Sequence, residues 1–249
     1  MGRVWSLVLV VMAAMPAGCV NKTAKVPSLP GEHALLFQAQ ITKTLALKYH
    51  LFLPDDYGSD PDRLWPLLLF LHGSGERGAD LERVKIHGYN KISAPRPGFP
   101  FIMVSPLCPG ETRWTNHLEA LDTLLSQVMA NYAVDADRLY LTGLSMGGAG
   151  AWQLAIEYPR RFAALAPICG WGESLLASRL KELPVWVFHG ALDTVVPVAE
   201  SERMVTAINN AGGQARLTIY PDATHDSWTA TYANDELYEW FLSHRLGND

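Results

Sequence analysis

Three side chains in this sequence have the types, order and settings needed to move an acyl group: Ser145 in "GLSMG", Asp193 in "VFHGALDTVVP" and His225 in "TIYPDATHDSW". A serine hydroxyl attacks a carbonyl only when a base removes its proton, and a third group must orient that base. The order serine, acid, histidine is informative, because the same chemistry on other folds runs in other orders. Asp222 and Asp226 also flank His225. Neither follows the apolar run that should carry the acid, so Asp193 is the expected partner. His189 closes an apolar run before a glycine and reads as a group that satisfies nearby backbone. His33, His50, His87, His117 and His244 have the settings of solvated or packed residues.

These groups need elements to hold them. Gly143 and Gly147 bracket Ser145 directly after the strand-like "DRLYLTGL" and ahead of the helix-like "MGGAGAWQLAIEYP". In a sharp strand-to-helix turn the serine takes a strained backbone conformation, and side chains two residues to either side would collide. Glycine removes the collision. The turn lifts Ser145 above the carboxyl edge of a sheet, at a helix N-terminus whose partial positive charge favours a developing oxyanion. Two backbone amides must bind that oxyanion. Met146, just after the serine, supplies one. The loop "HGSGERG" supplies the other, with Gly73 and Gly75 allowing close approach and Ser74 as the donor. Each donor is worth roughly 2.7–4 kcal/mol at the transition state.

Apolar runs alternate with amphipathic stretches along the rest of the chain. "ALLFQAQI" and "TLALKYHLFLP" show partial alternation and predict an opening antiparallel hairpin. "WPLLLFLHG", "FPFIMVSPL", "DRLYLTGLS", "RFAALAPICG", "LPVWVFHG" and "ARLTIYP" are continuous and apolar, as parallel strands covered on both faces are. Helices are predicted over "NHLEALDTLLSQVMANY", "MGGAGAWQLAIEYP", "AESERMVTAINNAG" and "DELYEWFLSHRL"; the first places Leu118, Leu121, Leu125 and Val128 at helical spacing. The reading is an α/β fold with a mostly parallel sheet of about eight strands and helices on both faces. One domain is expected over 34–249, after a polar linker at 20–33. Only "GWGESLLASRLKELP" separates two of the strands, room for one short helix and no large lid.

Hydrophobic residues make up 49% of the 249 and charged residues 18%, the balance of a globular protein and not of a disordered one. The net charge of −5 is spread without a basic stripe, so nucleic acid is not an expected partner. No His, Cys, Asp and Glu set has metal-ligand spacing and no G-x-G-x-x-G follows the first strand. Neither a metal nor a cofactor is expected. The start, "MGR" then "VWSLVLVVMAAM" then "PAGC", is too short for a bilayer span of about 20 residues and reads as an export signal over 1–19. Its "AGC" ending resembles a bacterial lipobox, which would lipidate Cys19 and provide the chain's membrane contact. Pro16 stands where that motif has an aliphatic residue, and ordinary cleavage near Ala17 is the alternative. The expected location is the periplasm, as a soluble or membrane-anchored lipoprotein, or outside the cell. Cys108 and Cys169 do not make a disulfide framework, although one bond between them is open to an exported protein.

Taken together, "LHGSGERG" (71–78), "PLCPGETRW" (106–114), "GLSMGG" (143–148), "HGALDTVVP" (189–197) and "THDSWTATY" (224–232) resemble the α/β-hydrolase superfamily. The likeness is closest to single-domain bacterial carboxylesterases of the phospholipase/carboxylesterase and "predicted peptidase" type. It implies Ser145 as nucleophile, Asp193 as acid, His225 as base, and Ser74 and Met146 as oxyanion amides. Trp114, Trp171 and Trp228 fall on loops after strands and are candidate walls of a substrate cleft. Trp171 stands where such proteins often have a small residue, which would narrow the acyl or alcohol pocket. The implied activity is hydrolysis of short-chain acyl or aryl esters, including acyl groups on carbohydrate, through an acyl-enzyme. A serine peptidase or an acyltransferase would use the same three residues.

Overall fold

Strand β2 (Trp65–Leu71) is buried along its whole length, and its side chains divide by alternation. Leu67, Leu69 and Leu71 enter one apolar core, while Leu68 and Phe70 enter another. A strand with two apolar faces belongs in the middle of a sheet covered on both sides. The computed structural model, which describes residues 37–88 and 90–247, shows that sheet. Its strands are β1 (Tyr49–Phe52), β2, β3 (Ile102–Pro106), β4 (Val134–Leu144), β5 (Ala164–Ile168), β6 (Val185–Gly190) and β7 (Ala215–Tyr220). They lie in the order β1-β3-β2-β4-β5-β6-β7. All neighbours are parallel except β1, which runs antiparallel to β3.

Helices α1 (Leu118–Asn131), α2 (Met146–Glu157) and α3 (Ala199–Asn210) bring Leu121, Leu125, Val128, Trp152, Met204 and Ile208 to the first core. Helices α4 (Trp228–Ala233) and α5 (Glu236–Leu242) bring Tyr232, Leu237 and Phe241 to the second. Each fully buried apolar side chain of this size contributes roughly 1.5–3 kcal/mol, so the sheet and its two helical layers stabilise each other.

Two expectations need correction. Seven strands, not about eight, make the sheet among the described residues. The opening hairpin is also absent there: residues 37–48 carry no strand, and Phe37 and Ile41 are exposed. The alternation that suggested a hairpin has another cause. Leu47, Tyr49, Leu51 and Leu53 all pack on the first core, a pattern that pairing with β3 satisfies without an earlier strand. Thr44 onward forms one compact unit. The predicted export signal, Cys19 and the linker lie outside the described residues. Among those described, no helix is long and apolar enough to cross a membrane.

The strand order places the chemistry. From β2 the chain leaves toward β3 on one side, while β4 pairs on the other, with Leu71 beside Gly143 at their carboxyl ends. Connections that diverge from two adjacent parallel strands leave a crevice there, the usual ligand position in open α/β sheets. Between β5 and β6 lies one short 3-10 stretch, Ser174–Leu180, and no lid.

Candidate active site

Ser145 occupies the turn between β4 and α2 with φ 53° and ψ −117°, a left-handed conformation that a non-glycine residue rarely adopts. The glycines on either side are sterically required. A Cβ on Gly147 would sit 1.9 Å from the Leu71 carbonyl oxygen, and one on Gly143 would sit 2.4 Å from the Gly147 oxygen. The serine amide donates to Ile168 O at 2.9 Å, tying the turn to β5.

The loops after β6 and β7 bring the other two predicted groups to this turn. His225 Nε2 lies 2.9 Å from Ser145 Oγ, and His225 Nδ1 lies 2.7 Å from Asp193 Oδ2. Asp193 Oδ1 accepts the amides of Val195 and Val196 at 2.8 and 2.9 Å. Burial alone would raise the Asp193 pKa; the hydrogen bonds from His225 and from the Val196 and Val195 amides outweigh it and hold the carboxyl below its usual value. The arrangement can deprotonate Ser145 through His225 while Asp193 fixes the imidazole.

His72, at the end of β2, was not singled out by the sequence. The Cys108 amide donates to its Nε2 at 3.0 Å, so Nδ1 carries the proton and donates to Gly73 O at 2.7 Å. Burial lowers its pKa to about 4, which keeps the ring neutral. A trans peptide points its N–H opposite to its C=O. The bond to Gly73 O therefore turns the Ser74 amide away from the His72 ring. Arg77 Nε and Arg83 Nη2 bind the carbonyls of Ser74 and Gly75 at 3.1 and 2.5 Å, fixing the next peptides of the loop. Met146 is the first residue of α2, where the helix leaves backbone amides without internal partners.

His189 serves more than backbone. Its Nε2 lies 2.9 Å from Val196 O and 3.2 Å from Asp193 Oδ2, and its Nδ1 lies 2.7 Å from Ser201 Oγ.

The tryptophans differ in role. Trp114 is fully buried, donates from Nε1 to His72 O at 2.9 Å and crosses the His72 ring edge to face at 4.9 Å. It supports the loop and forms the floor of a groove. Trp171 is half-buried and lines that same groove of about 230 Å³ beside Met146. Trp228 stands edge to face between His225, at 5.4 Å, and His87, at 5.5 Å. Asp222 and Asp226 make no hydrogen bond to His225, and Asp226 instead caps Thr229 at 2.9 Å.

Cys108 and Cys169 are free and buried, which answers the open disulfide question. Cys169 has φ 41°. Its thiol, a carboxylate oxygen of Asp193 and a ring nitrogen of His225 lie within 4.8 Å of one another, a grouping the sequence spacing concealed. Burial pushes the Cys169 thiol up to about 12, so it is protonated at neutral pH and stays a packing group.

The profile of the Dienelactone hydrolase family matches residues 110–237, just over half of the chain. A bifunctional acetylxylan esterase/xylanase of Neocallimastix patriciarum is 24% identical over 77% of this chain and 27% of its own length. A probable feruloyl esterase C of Aspergillus niger is 27% identical over 74% of this chain and 69% of its own. The crystal structure of a thermostable esterase superposes with a TM-score of 0.75 at 35% identity, covering 80% of this chain and 59% of that one. The chain thus spans about a quarter of the first relative and under two thirds of the solved esterase.

Proposed function

The chain belongs to the Dienelactone hydrolase family, and on that premise we propose that it is a serine carboxylesterase hydrolysing short-chain acyl or aryl esters, among them acyl groups on carbohydrate. The observation that carries this reading is the continuous hydrogen-bonded path from Ser145 Oγ through His225 to Asp193 at a glycine-bracketed turn. His225 Nε2 takes the Ser145 proton as Oγ attacks the ester carbonyl. The amides of Met146 and Ser74 stabilise the oxyanion. The proton then passes from His225 to the departing alkoxide, leaving an acyl-enzyme. Water repeats the sequence on the acyl-enzyme, with His225 as base, and releases the acid. Asp193 holds the proton on Nδ1 throughout.

The short connection between β5 and β6 supports small, soluble esters over aggregated lipid, which a lidded site would suit. The apolar start and Cys19 support export, with lipidation at Cys19 as the anchor.

The test is initial rates on p-nitrophenyl esters from acetate to palmitate and on methyl ferulate, with Ser145→Ala alongside. Rates should peak at short chains, and the variant should lose about 10⁶-fold in kcat. A peak at long chains would contradict the open-cleft reading. Ser145 labelling by a fluorophosphonate without ester turnover would favour a peptidase or acyltransferase.

A further inference from the structure

Glu76 is a buried carboxylate that the proposed reaction does not use. It closes the 3-10 turn Ser74–Glu76, which carries the Ser74 amide, and is only 9% exposed. Its side chain folds back against Gly73, where a Cβ would meet Glu76 Oε2 at 3.2 Å and Leu144 Cδ1 at 2.8 Å. The carboxylate is thus packed against the oxyanion loop, close to the residue that precedes the nucleophile. A charge so placed needs a partner. Among the described residues two imidazoles face it, His72 Nδ1 at 3.9 Å from Oε2 and His87 Nε2 at 3.7 Å from Oε1. His72 already donates its Nδ1 proton to Gly73 O, which leaves His87. Glu76 Oε2 and His87 Nδ1 are both buried without a hydrogen-bond partner in the protein.

We propose that Glu76 and His87 are positioning residues, a pair that holds the oxyanion turn in place against the general base. The packing between the two is continuous. Glu76 faces His87, His87 meets the Trp228 ring edge to face at 5.5 Å, and Trp228 meets His225 in the same way at 5.4 Å. One end of this series carries the peptide that aims the Ser74 amide, and the other is the ring that takes the serine proton. A misplacement of about 1 Å at such groups costs roughly 10²-fold in rate. The proposal rests on the serine-hydrolase reading of Ser145, but not on which ester is cleaved.

The pair tightens with acid. At 3.7 Å the carboxylate and the neutral ring are too far apart for a hydrogen bond. An imidazolium and a carboxylate close to about 2.7–2.9 Å. Burial lowers the His87 pKa most. Glu76 on the oxyanion turn raises it, Lys91 on the following turn lowers it, and Asp226 in the loop before α4 raises it, with a net value below the usual one. The ring of His72, next to Glu76, is neutral and adds no charge. His87 therefore gains its proton only as pH falls below the ordinary histidine range, and the oxyanion turn is held most firmly there.

The experiment compares the wild type with Glu76→Gln, His87→Phe and the double variant, from about pH 8 to about pH 5.5. Glutamine keeps the shape of Glu76 without its charge, and phenylalanine keeps a ring against Trp228. Two rates are read: kcat and KM on p-nitrophenyl butyrate, and phosphonylation of Ser145 by a fluorophosphonate, which uses the same base and amides but no ester. Each single variant should lose roughly tenfold in kcat and in phosphonylation at the acid end, part of the 10²–10³ that a wholly lost donor costs. The loss should shrink toward pH 8 while KM stays near the wild-type value. Because His225 titrates in every variant, the ratio of wild type to variant isolates the pair. The double variant should lose no more than the worse single one, as residues acting together do. A ratio that does not change with pH would overturn the proposal, and so would losses confined to KM or to melting temperature, or additive losses in the double variant. If the wild type is phosphonylated but turns over no ester, the esterase reading fails and the phosphonylation ratios decide the pair. A wild type neither phosphonylated nor active overturns both.

Discussion

His72→Phe separates orientation of the oxyanion loop from the triad itself. Phenylalanine keeps an aromatic ring against Trp114 but removes the Nδ1–H bond to Gly73 O and the Nε2 acceptor for the Cys108 amide. The second loss leaves a buried amide unpaired and costs about 1–3 kcal/mol of stability. The first frees the peptide that aims the Ser74 amide. Losing one oxyanion donor costs about 2.7–4 kcal/mol at the transition state, so kcat on p-nitrophenyl butyrate should fall by ~10²–10³. KM should change little, because the ground-state carbonyl gains little from that amide. Circular dichroism confirms the fold. A second readout follows from the ring's titration. Burial lowers the folded His72 pKa from 6.5 to about 4, so across that window the unfolded chain binds a proton that the native chain does not. Wild-type stability therefore falls as pH drops from 6.5 to about 4, by about 3 kcal/mol from this one group. Urea unfolding across that range should show the slope in the wild type and its loss in His72→Phe. A folded variant with kcat within about threefold of wild type would refute the orienting role, given that a lost donor should cost ~10²–10³. An unchanged pH slope would refute the buried neutral imidazole.

Two further outcomes are expected. Asp193→Asn should cost about 10⁴ in kcat by releasing His225 into the wrong tautomer. It should also remove the stability that the lowered Asp193 pKa supplies above the usual carboxylate range and that the wild type loses as pH falls through that lowered value; steady-state kinetics and acid unfolding curves check both. Gly147→Ala would place a methyl group 1.9 Å from the Leu71 oxygen, so the variant should accumulate poorly or melt well below wild type, whereas a native-like melting temperature would mean that the turn relaxes.

Strands β2, β3, β5 and β6 were legible because each is a continuous apolar run buried along its length, and such a run has little else it can be; β7, at the sheet edge with Arg216 and Ile219 exposed, was legible from its apolar residues and its closing Pro221. The start of the domain was not, because alternation at Leu47, Tyr49, Leu51 and Leu53 marks one buried face and says nothing of the partner strand. Helix α4 was missed for its size: Trp228–Ala233 is too short to show a period. The three side chains that meet at the nucleophile turn could be found because each has a chemical type demanded at one strand end. His72 and His189 could not, since a histidine closing an apolar run has many uses. Only register decides: His72 faces the Cys108 amide from the neighbouring connection, and His189 reaches Asp193 across one turn of loop. Trp114 had the signal of a cleft wall, but the close approach of α2 at Gly150, where a Cβ would lie 2.4 Å from Trp114 Cβ, makes it part of the floor.

Asp193 lies between two imidazoles, and their partners explain why only one is placed to act as a base. His189 Nε2 faces Val196 O and Asp193 Oδ2, both of which only accept, so Nε2 carries the proton. Nδ1 lies 2.7 Å from the Ser201 hydroxyl. Both nitrogens are committed to partners inside the fold, and the buried ring reaches neither Ser145 nor solvent. The Asp193 carboxylate meanwhile receives the two valine amides, His189 Nε2–H and His225 Nδ1–H. A proton on Asp193 would have to displace one of these donors, which is why the group stays ionised despite its burial. With Nδ1 of His225 held as a donor, its Nε2 keeps a lone pair directed at Ser145 Oγ, 2.9 Å away. His189 thus adds a donor to the Asp193 carboxylate, and His225 is the one imidazole of the two placed to act as a base in the proposed reaction.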